Sequence, residues 1–362
     1  VGERAPASTI RVTAEYDASA ALIKLEDWRR AATVLENFRK NFPASKLQSD
    51  VTKKIAFVYR SDGRLEMAAA EYERIEREAK EEDIRRGALD IAAELYRQSG
   101  AAEKELSLYK RYVKLFPKPL DQVMDIHYRM AGVYRRMGNE AVYKDVLKQI
   151  IAMDASAGRA RNERTRYLAA QASLVFTGDA YNKVVAVKLG KPFKENLKKK
   201  KQYMQEAIKA YTRLVDFQVG DVTAAATYYI AEIYFDFSRA LAQSERPTNL
   251  NAEELEQYEL ALEEQIYPFE EKAITTHKKN LELMQLGVFS AWIDKSLGKL
   301  ATLVPAAYAR KEQSAGFMAT IDGYRYVKGQ SMDKSLALDY GLGNNEVGRN
   351  VAGQAGEPAG AH

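Results

Sequence analysis

The sequence predicts an all-α fold, a solenoid of stacked helical hairpins with capping helices and a flexible tail, and three observations predict it. Glycine and proline are scarce between Arg11 and Glu312, and the prolines there, among them Pro43, Pro117, Pro119 and Pro247, sit mostly between amphipathic runs. No stretch alternates apolar and polar residues over strand length, whereas AAAEYERIEREAKEED, from Ala68, spaces its apolar residues three and four apart. Finally, IAFVYRSDG (from Ile55), AAELYRQSG (from Ala92) and MAGVYRRMG (from Met130) share the pattern apolar-Ala-x-x-Tyr-Arg-x-x-Gly. Tyr59, Tyr96 and Tyr134 recur after 37 and 38 residues, and Gly63, Gly100 and Gly138 follow each tyrosine by four.

Composition narrows the chemistry. A chain of 362 residues that is 46% hydrophobic and 29% charged buries a sizeable core. It contains no apolar run long enough to span a membrane, and beginning at Val1 without a charged and apolar leader it reads as a processed product or a fragment. The absence of cysteine excludes disulfides, thiolate metal sites and cysteine nucleophiles, and the three histidines, His127, His277 and His362, are widely spaced. His277 has Asn280 and Leu281 where a second metal ligand on its helix would stand, so it reads as a helix-surface histidine. The carboxylate pairs Glu253–Glu254 and Glu270–Glu271 are adjacent, and adjacent residues on a helix do not face one another. Gly190-Lys191 has Val185 five residues earlier, where a phosphate loop has glycine, and is followed by Pro192 rather than Ser or Thr, so it is not a phosphate loop. No enzymatic activity, cofactor or metal is expected.

The repeated pattern resembles the tetratricopeptide repeat (TPR), in which helix A carries a small residue and an aromatic, glycine makes the turn, and helix B carries alanine, an aromatic and proline. Ala56, Ala93 and Ala131 match the small residue of helix A, Tyr59, Tyr96 and Tyr134 its aromatic, and the three glycines the turn. On helix B, Ala31 and Ala68 match the small residue and Tyr72 and Tyr109 the aromatic, while Pro43 and Pro117 lie 74 residues apart, twice the period. Departures fall at Ser19 and Leu22 in the first repeat and at Glu105 and Tyr143 on later helix B segments. The resemblance implies four TPR-like hairpins over residues 12–157.

Beyond them the pattern is stretched. Ile230, Ala231 and Tyr234 repeat the helix A core 100 residues after Tyr134, leaving room for one expanded fifth repeat over 158–217 with an insertion at 178–197. Residues 218–313 then hold a sixth repeat and capping helices: Asn251 reads as an N-cap, Pro268 kinks or restarts a helix, and FSAWIDKSLGKLATLV closes the array before Pro305, burying Trp292 against the helix that follows Pro268. Residues 314–362 hold 9 of the 21 glycines and read as a largely disordered tail, in which FMATIDGYRYVKG is the segment that could pack on the cap or a partner. The stretch 174–312, through Pro268, Phe269, Glu270, Glu271, Lys272 and Trp292, resembles the end region of large Gram-negative cell-envelope TPR proteins associated with Tol- and Exb-type motor systems. That resemblance implies a periplasmic or outer-membrane-associated protein.

Charge is divided more sharply than the net +5 suggests. From Arg159 to Arg213, 14 Lys and Arg stand against 4 acids, and from Val215 to Thr275, 3 stand against 13. Two outcomes are open, mutual compensation between stacked neighbours or a charged partner. The run KENLKKKK lacks interleaved aromatics and the rest of the chain does not share its sign, so nucleic acid is not an expected partner. Arg60, Arg97 and Arg135 each follow the repeat tyrosine and so occupy one equivalent position on helix A, which in a TPR array lines the concave groove. Phe57, Asp90, Glu94, Tyr128 and Arg136 project the same way, giving an arginine-rich groove suited to an acidic or carboxy-terminal peptide. The expected function is a non-enzymatic protein–protein interaction scaffold of the bacterial cell envelope. The alternative is a helical accessory domain of a cell-wall glycan enzyme or a polysaccharide-export apparatus, for which stacked aromatics in the groove would speak.

Overall fold

A computed structural model describes residues 10–309, so the expectations for the tail at 314–362 lie outside the described residues. Every regular element among the described residues is helical. Eight helices of 14–17 residues form four hairpins: α1 (Arg11–Lys24) with α2 (Trp28–Asn41), α3 (Gln48–Ser61) with α4 (Leu65–Glu78), α5 (Glu82–Gln98) with α6 (Ala102–Leu115), and α7 (Leu120–Arg136) with α8 (Glu140–Ala155). A longer hairpin, α9 (Glu163–Ala186) with α10 (Phe193–Val215), is followed by α11 (Gly220–Ala242), α12 (Ala252–Glu282), α13 (Ala291–Leu303) and the short α14 (Pro305–Tyr308). Successive helices pack on one another along the chain, which is the architecture of a TPR-like helical-hairpin solenoid.

The turns explain the glycines. In the second, third and fourth hairpins the glycine takes positive φ (Gly63 74°, Gly100 77°, Gly138 73°) and the residue after it donates its N–H to the carbonyl of the repeat tyrosine, at 2.9 Å in each case. This is the bond pattern of a left-handed helix terminus, which an L residue occupies at a cost of about 1–2 kcal/mol. The first hairpin makes the same turn, Asp27 N–H to Leu22 C=O at 3.0 Å, with Glu26 at φ 55° in the glycine's place.

Apolar stripes of the early helices meet in one continuous core that includes Leu35, Phe38, Ile55, Leu89, Tyr96, Leu108 and Val133, and a second core gathers Tyr211, Val222, Ile233, Phe237 and Leu262 from α10, α11 and α12. Between them α7, α8 and α9 share Met124, Leu147, Ile150 and Leu168. Ser19 fits the position where alanine is expected because its hydroxyl donates to Tyr16 C=O at 2.6 Å, so no polar atom is stranded.

Three expectations need correction. Residues 178–197 are mostly helix, not an insertion: α9 runs to Ala186 and α10 begins at Phe193, so the hairpin is lengthened rather than interrupted. Pro268 lies inside α12, a single helix of 31 residues opened by the Asn251–Glu254 capping box. Its missing N–H and its ring do not end the helix, because α12 is held along its length against α11. Trp292 is half-buried and packs on α11, with Tyr228 and Tyr229 ring centroids at 5.5 and 5.2 Å, while Lys295 Nζ covers its ring at 3.9 Å. The tryptophan seats α13 on two tyrosines of α11, which sequence spacing does not reveal.

The lysine run also changes character in three dimensions. Lys200 is 1% exposed, and its Nζ donates to Val184 C=O and Val187 C=O, both at 2.9 Å, and pairs with Asp236 at 2.6 Å. A cation on the last carbonyls of α9 meets the negative end of that helix.

Two stability measurements follow. No atom lies within 4 Å of a Cβ built on Gly100, so Gly100→Ala is expected to lose about 1 kcal/mol by backbone strain alone, and Glu26→Gly to gain a similar amount, in urea denaturation. Lys200→Met strands two carbonyls and a carboxylate and is expected to cost about 3 kcal/mol, the lower end for breaking a buried pair. An unchanged midpoint would show that the ammonium contributes nothing to holding α9.

Candidate functional site

A cavity of about 580 Å³ opens against the first helices of the second, third and fourth hairpins. Arg60 lines it from α3, Asp90, Ile91, Glu94 and Arg97 from α5, and Tyr128, Arg129, Gly132 and Arg136 from α7, with Glu105 and Tyr109 of α6 behind them. The repeat phase brings these positions together, since each helix A presents the same face one period later. Six of the eight residues singled out from sequence therefore share one cavity: Arg60, Asp90, Glu94, Arg97, Tyr128 and Arg136.

The other two lie elsewhere. Phe57, 49% exposed, sets its ring edge against Trp28 at 5.9 Å, within the stack of the first two hairpins. Arg135 places its guanidinium 5.7 Å from the Tyr143 ring centroid on α8, so it is held against its own hairpin and does not extend a column with Arg60 and Arg97.

Most cavity arginines are already occupied. Arg97 bonds Glu94 at 2.5 Å, Arg129 bonds Asp90 at 3.2 Å, and Arg136 bonds Glu105 at 2.6 Å, where the Glu105 side chain is 2% exposed. The hydrogen bonds from Arg97 hold the Glu94 carboxyl below its ordinary value, whereas burial pushes Asp90 up despite Arg129. Burial and the nearby Glu105 push the Tyr109 phenol up to about 12, so it stays a neutral hydroxyl at working pH. Arg60 forms no ion pair with any described residue. The lining is a balanced lattice of charge with one free guanidinium and two half-exposed apolar surfaces, Ile91 at 37% and Tyr128 at 39%.

Sequence reading missed Arg129 and Glu105. A signal was present: Asp90–Arg129 and Asp125–Arg164 are both 39 residues apart, just over one repeat, so a cross-repeat acid–arginine register was there to be counted.

A second polar cluster lies under α13. His277, expected on a helix surface, is fully buried: its Nδ1 is 3.1 Å from Ser296 Oγ, and its Nε2 faces Glu232 Oε1 at 3.4 Å. Lys299 Nζ pairs with Glu232 Oε2 at 2.8 Å, and Asn280 Nδ2 donates to Ser296 Oγ at 2.8 Å and to Ala224 C=O at 3.1 Å. A serine, a histidine and a glutamate in a row suggest acyl-transfer chemistry, but Ser296 and His277 are 0% exposed, so no substrate carbonyl reaches the hydroxyl. The network ties α11, α12 and α13 together. Among the described residues no group of three or more His, Cys, Asp or Glu side chains could hold a metal ion, and no helix is long and apolar enough to cross a membrane.

No family model and no curated protein matches the chain. Among solved structures it is similar to a tetratricopeptide repeat protein from Parabacteroides merdae, at 17% identity over 79% of this chain and 97% of that one, with a TM-score of 0.30. It is similar also to the C-terminal part of a TPR repeat-containing protein from Cytophaga hutchinsonii, at 10% identity over 80% and 95%, with a TM-score of 0.32. Likeness at that level carries no functional argument, and the TPR-like fold rests on the hairpins described above.

The buried cluster has a pH signature. Burial alone raises the Glu232 carboxyl, but the facing His277 ring and the Lys299 ammonium reverse this and hold it below its ordinary value. A depressed carboxylate stabilises the fold above the unfolded value, about pH 4.3, and that stabilisation is lost as pH falls through the lower folded value. Glu232→Gln is therefore expected to be less stable than the native chain at pH 7, with the gap closing below about pH 4 in thermal melts across that range. A gap independent of pH would remove the ionic account.

Proposed function

We propose that the chain is a non-enzymatic scaffold that binds an extended segment of a partner protein along the groove formed by α3, α5 and α7. The observation that carries this reading is the cavity itself: about 580 Å³, lined from three consecutive repeats, with Ile91 and Tyr128 as half-exposed apolar surfaces and Arg60 as an unspent cation. Segment recognition by a preformed surface needs apolar contact for affinity and placed polar groups for register, and the cavity offers both.

The internal ion pairs alter the ligand this implies. A string of free arginines would favour a strongly acidic peptide, but Glu94, Asp90 and Glu105 already meet Arg97, Arg129 and Arg136. A segment with one carboxylate for Arg60 and apolar side chains for Ile91 and Tyr128 suits the cavity better. Glycan guidance, the alternative, calls for open aromatic faces. Among the described residues the largest aromatic assembly, Tyr181, Tyr211, Tyr228, Tyr229 and Trp292, is stacked on itself and its indole is covered by Lys295, which speaks for the peptide reading. We place the scaffold in the periplasm or at the outer membrane of a Gram-negative envelope, on the strength of the sequence resemblance around Pro268–Lys272 and Trp292 and the lack of cysteine.

The test is site-specific photo-crosslinking in envelope extracts, with the photoreactive side chain at Tyr128 and, as a control, at exposed Lys114 of α6. A peptide segment captured at position 128 alone is expected. Arg60→Glu should weaken binding of that segment about tenfold, equivalent to about 1.4 kcal/mol, and should leave the melting curve unchanged. Equal capture at both positions, or unaltered affinity of the variant, would remove the groove assignment.

A further inference from the structure

We propose that the cleft between α10, α11 and α12 is a docking surface for a second copy of this chain, and that the outer stripe of the second copy's α12 fills it. The cleft measures about 560 Å³. Its floor is apolar, with Met204 and Ile208 from α10, Tyr234 from α11 and Phe269 from α12. Three cations rim it, Lys209, Arg213 and Lys272, against one carboxylate, Asp216. Lys272 Nζ lies 5.8 and 5.6 Å from the Tyr234 and Phe269 ring centroids, and none of the three cations forms an ion pair with any described residue. In the first four hairpins, by contrast, arginines such as Arg39, Arg85, Arg111 and Arg136 each have a carboxylate.

The sequence left open whether the basic and acidic blocks compensate one another, and within the chain they do not. Among the described residues a single ion pair, Lys200–Asp236, joins residues 159–213 to residues 215–275. The unspent acids lie largely on α12. The inner stripe of this helix, Leu262, Ile266, Phe269, Ala273 and His277, is buried or half-buried, whereas its outer stripe is exposed: Glu256, Leu260, Glu263, Glu264, Tyr267 and Glu271. Leu260 and Tyr267 are 59% and 65% exposed, large apolar side chains held in water and surrounded by carboxylates.

A basic cleft with an apolar floor and an acidic stripe with two apolar side chains are complementary in sign and in chemistry. They cannot meet within one molecule, because α12 contributes Phe269 and Lys272 to the wall of the cleft while its outer stripe points away from it. A second copy meets the cleft with its own outer stripe and leaves its cleft open to a further copy, so the contact is head-to-tail and either closes as a ring or extends. Exposed ion pairs contribute little each, so Leu260 and Tyr267 on the floor supply the affinity and the charges set pairing and rate.

The experiment is sedimentation velocity on the full chain over a concentration series at low and high salt. Self-association that weakens with salt is expected. Lys209→Glu with Arg213→Glu, and separately Glu263→Lys with Glu264→Lys, should each weaken it at least about tenfold, and an equimolar mixture of the two variants should restore association, because every contact in the mixed pair is again of opposite sign. All four positions are exposed, and circular dichroism checks that the variants fold. A chain that stays monomeric at its highest soluble concentration overturns the proposal, as does association indifferent to the reversals or not rescued by mixing. If the chain stays monomeric while its native cleft, but not the reversed one, binds an unrelated acidic peptide or anionic vesicles, the occupant is a different anion and the proposal equally falls. Arg60→Glu should leave association unchanged, which separates this outcome from that of the peptide groove.

Discussion

A carboxylate taken out of water must meet a cation, and this requirement fixes how one hairpin sits on the next. Glu71 on α4 is met by Arg39 of α2, Glu76 on α4 by Arg85 of α5 and Arg111 of α6, Glu105 on α6 by Arg136 of α7, and Asp154 at the end of α8 by Arg161 and by the Thr165 hydroxyl of α9. Each clamp spans two successive hairpins, and the Glu76, Glu105 and Asp154 side chains are 2–3% exposed. Apolar stacking alone would tolerate sliding of one smooth helical face over another. A buried acid does not, since a shift of one turn leaves it unpaired at a cost of several kcal/mol. The gain is in register rather than net stability, because an apolar pair of the same volume would serve as well energetically.

That register has a price at the surface of the groove. Of the three repeated arginines only Arg97 meets an acid there, while Arg129 and Arg136 neutralise Asp90 and Glu105, so the cavity is balanced where the one-dimensional pattern suggested a cationic column. What remains for a ligand is the residue whose partner the repeat omits, Arg60, together with apolar surface the hairpins do not cover. The tyrosines follow the same logic. Tyr96 donates to Glu73 at 2.9 Å, and Tyr59 donates to Glu36, each 23 residues upstream on the second helix of the preceding hairpin. Burial and these carboxylates push both phenols upward, so each stays a donor.

The hairpins were legible because the features that encode them are local. A tyrosine, an arginine and a glycine at fixed offsets report a helix end and its turn, and a period near 37 reports the stack. The same locality made the turn at Glu26 invisible, since the backbone takes the left-handed conformation there without the residue that advertises it. Arg135 was misplaced because a position on helix A fixes where a side chain starts, not which neighbour it reaches, and Tyr143 lies on the next helix. His277 and Trp292 were misread for a related reason. Their surroundings come from other helices, α11 some 45 to 65 residues away and, for His277, also α13, and no periodicity on α12 or α13 records that Ser296 and Glu232 stand opposite the imidazole or that two tyrosines stand opposite the indole.

The buried ammonium of Lys200 bears on how the run Lys198–Lys201 responds to change. Four consecutive lysines read as interchangeable charge, and any measure that counts charge treats them so. Three of them, Lys198, Lys199 and Lys201, are exposed and tolerate other polar residues, whereas the third in the row closes the end of a helix and admits neither a shorter cation nor a neutral side chain. Amine-directed chemistry, whether enzymatic acylation or a labelling reagent, therefore meets three sites and a blank until α9 and α10 part.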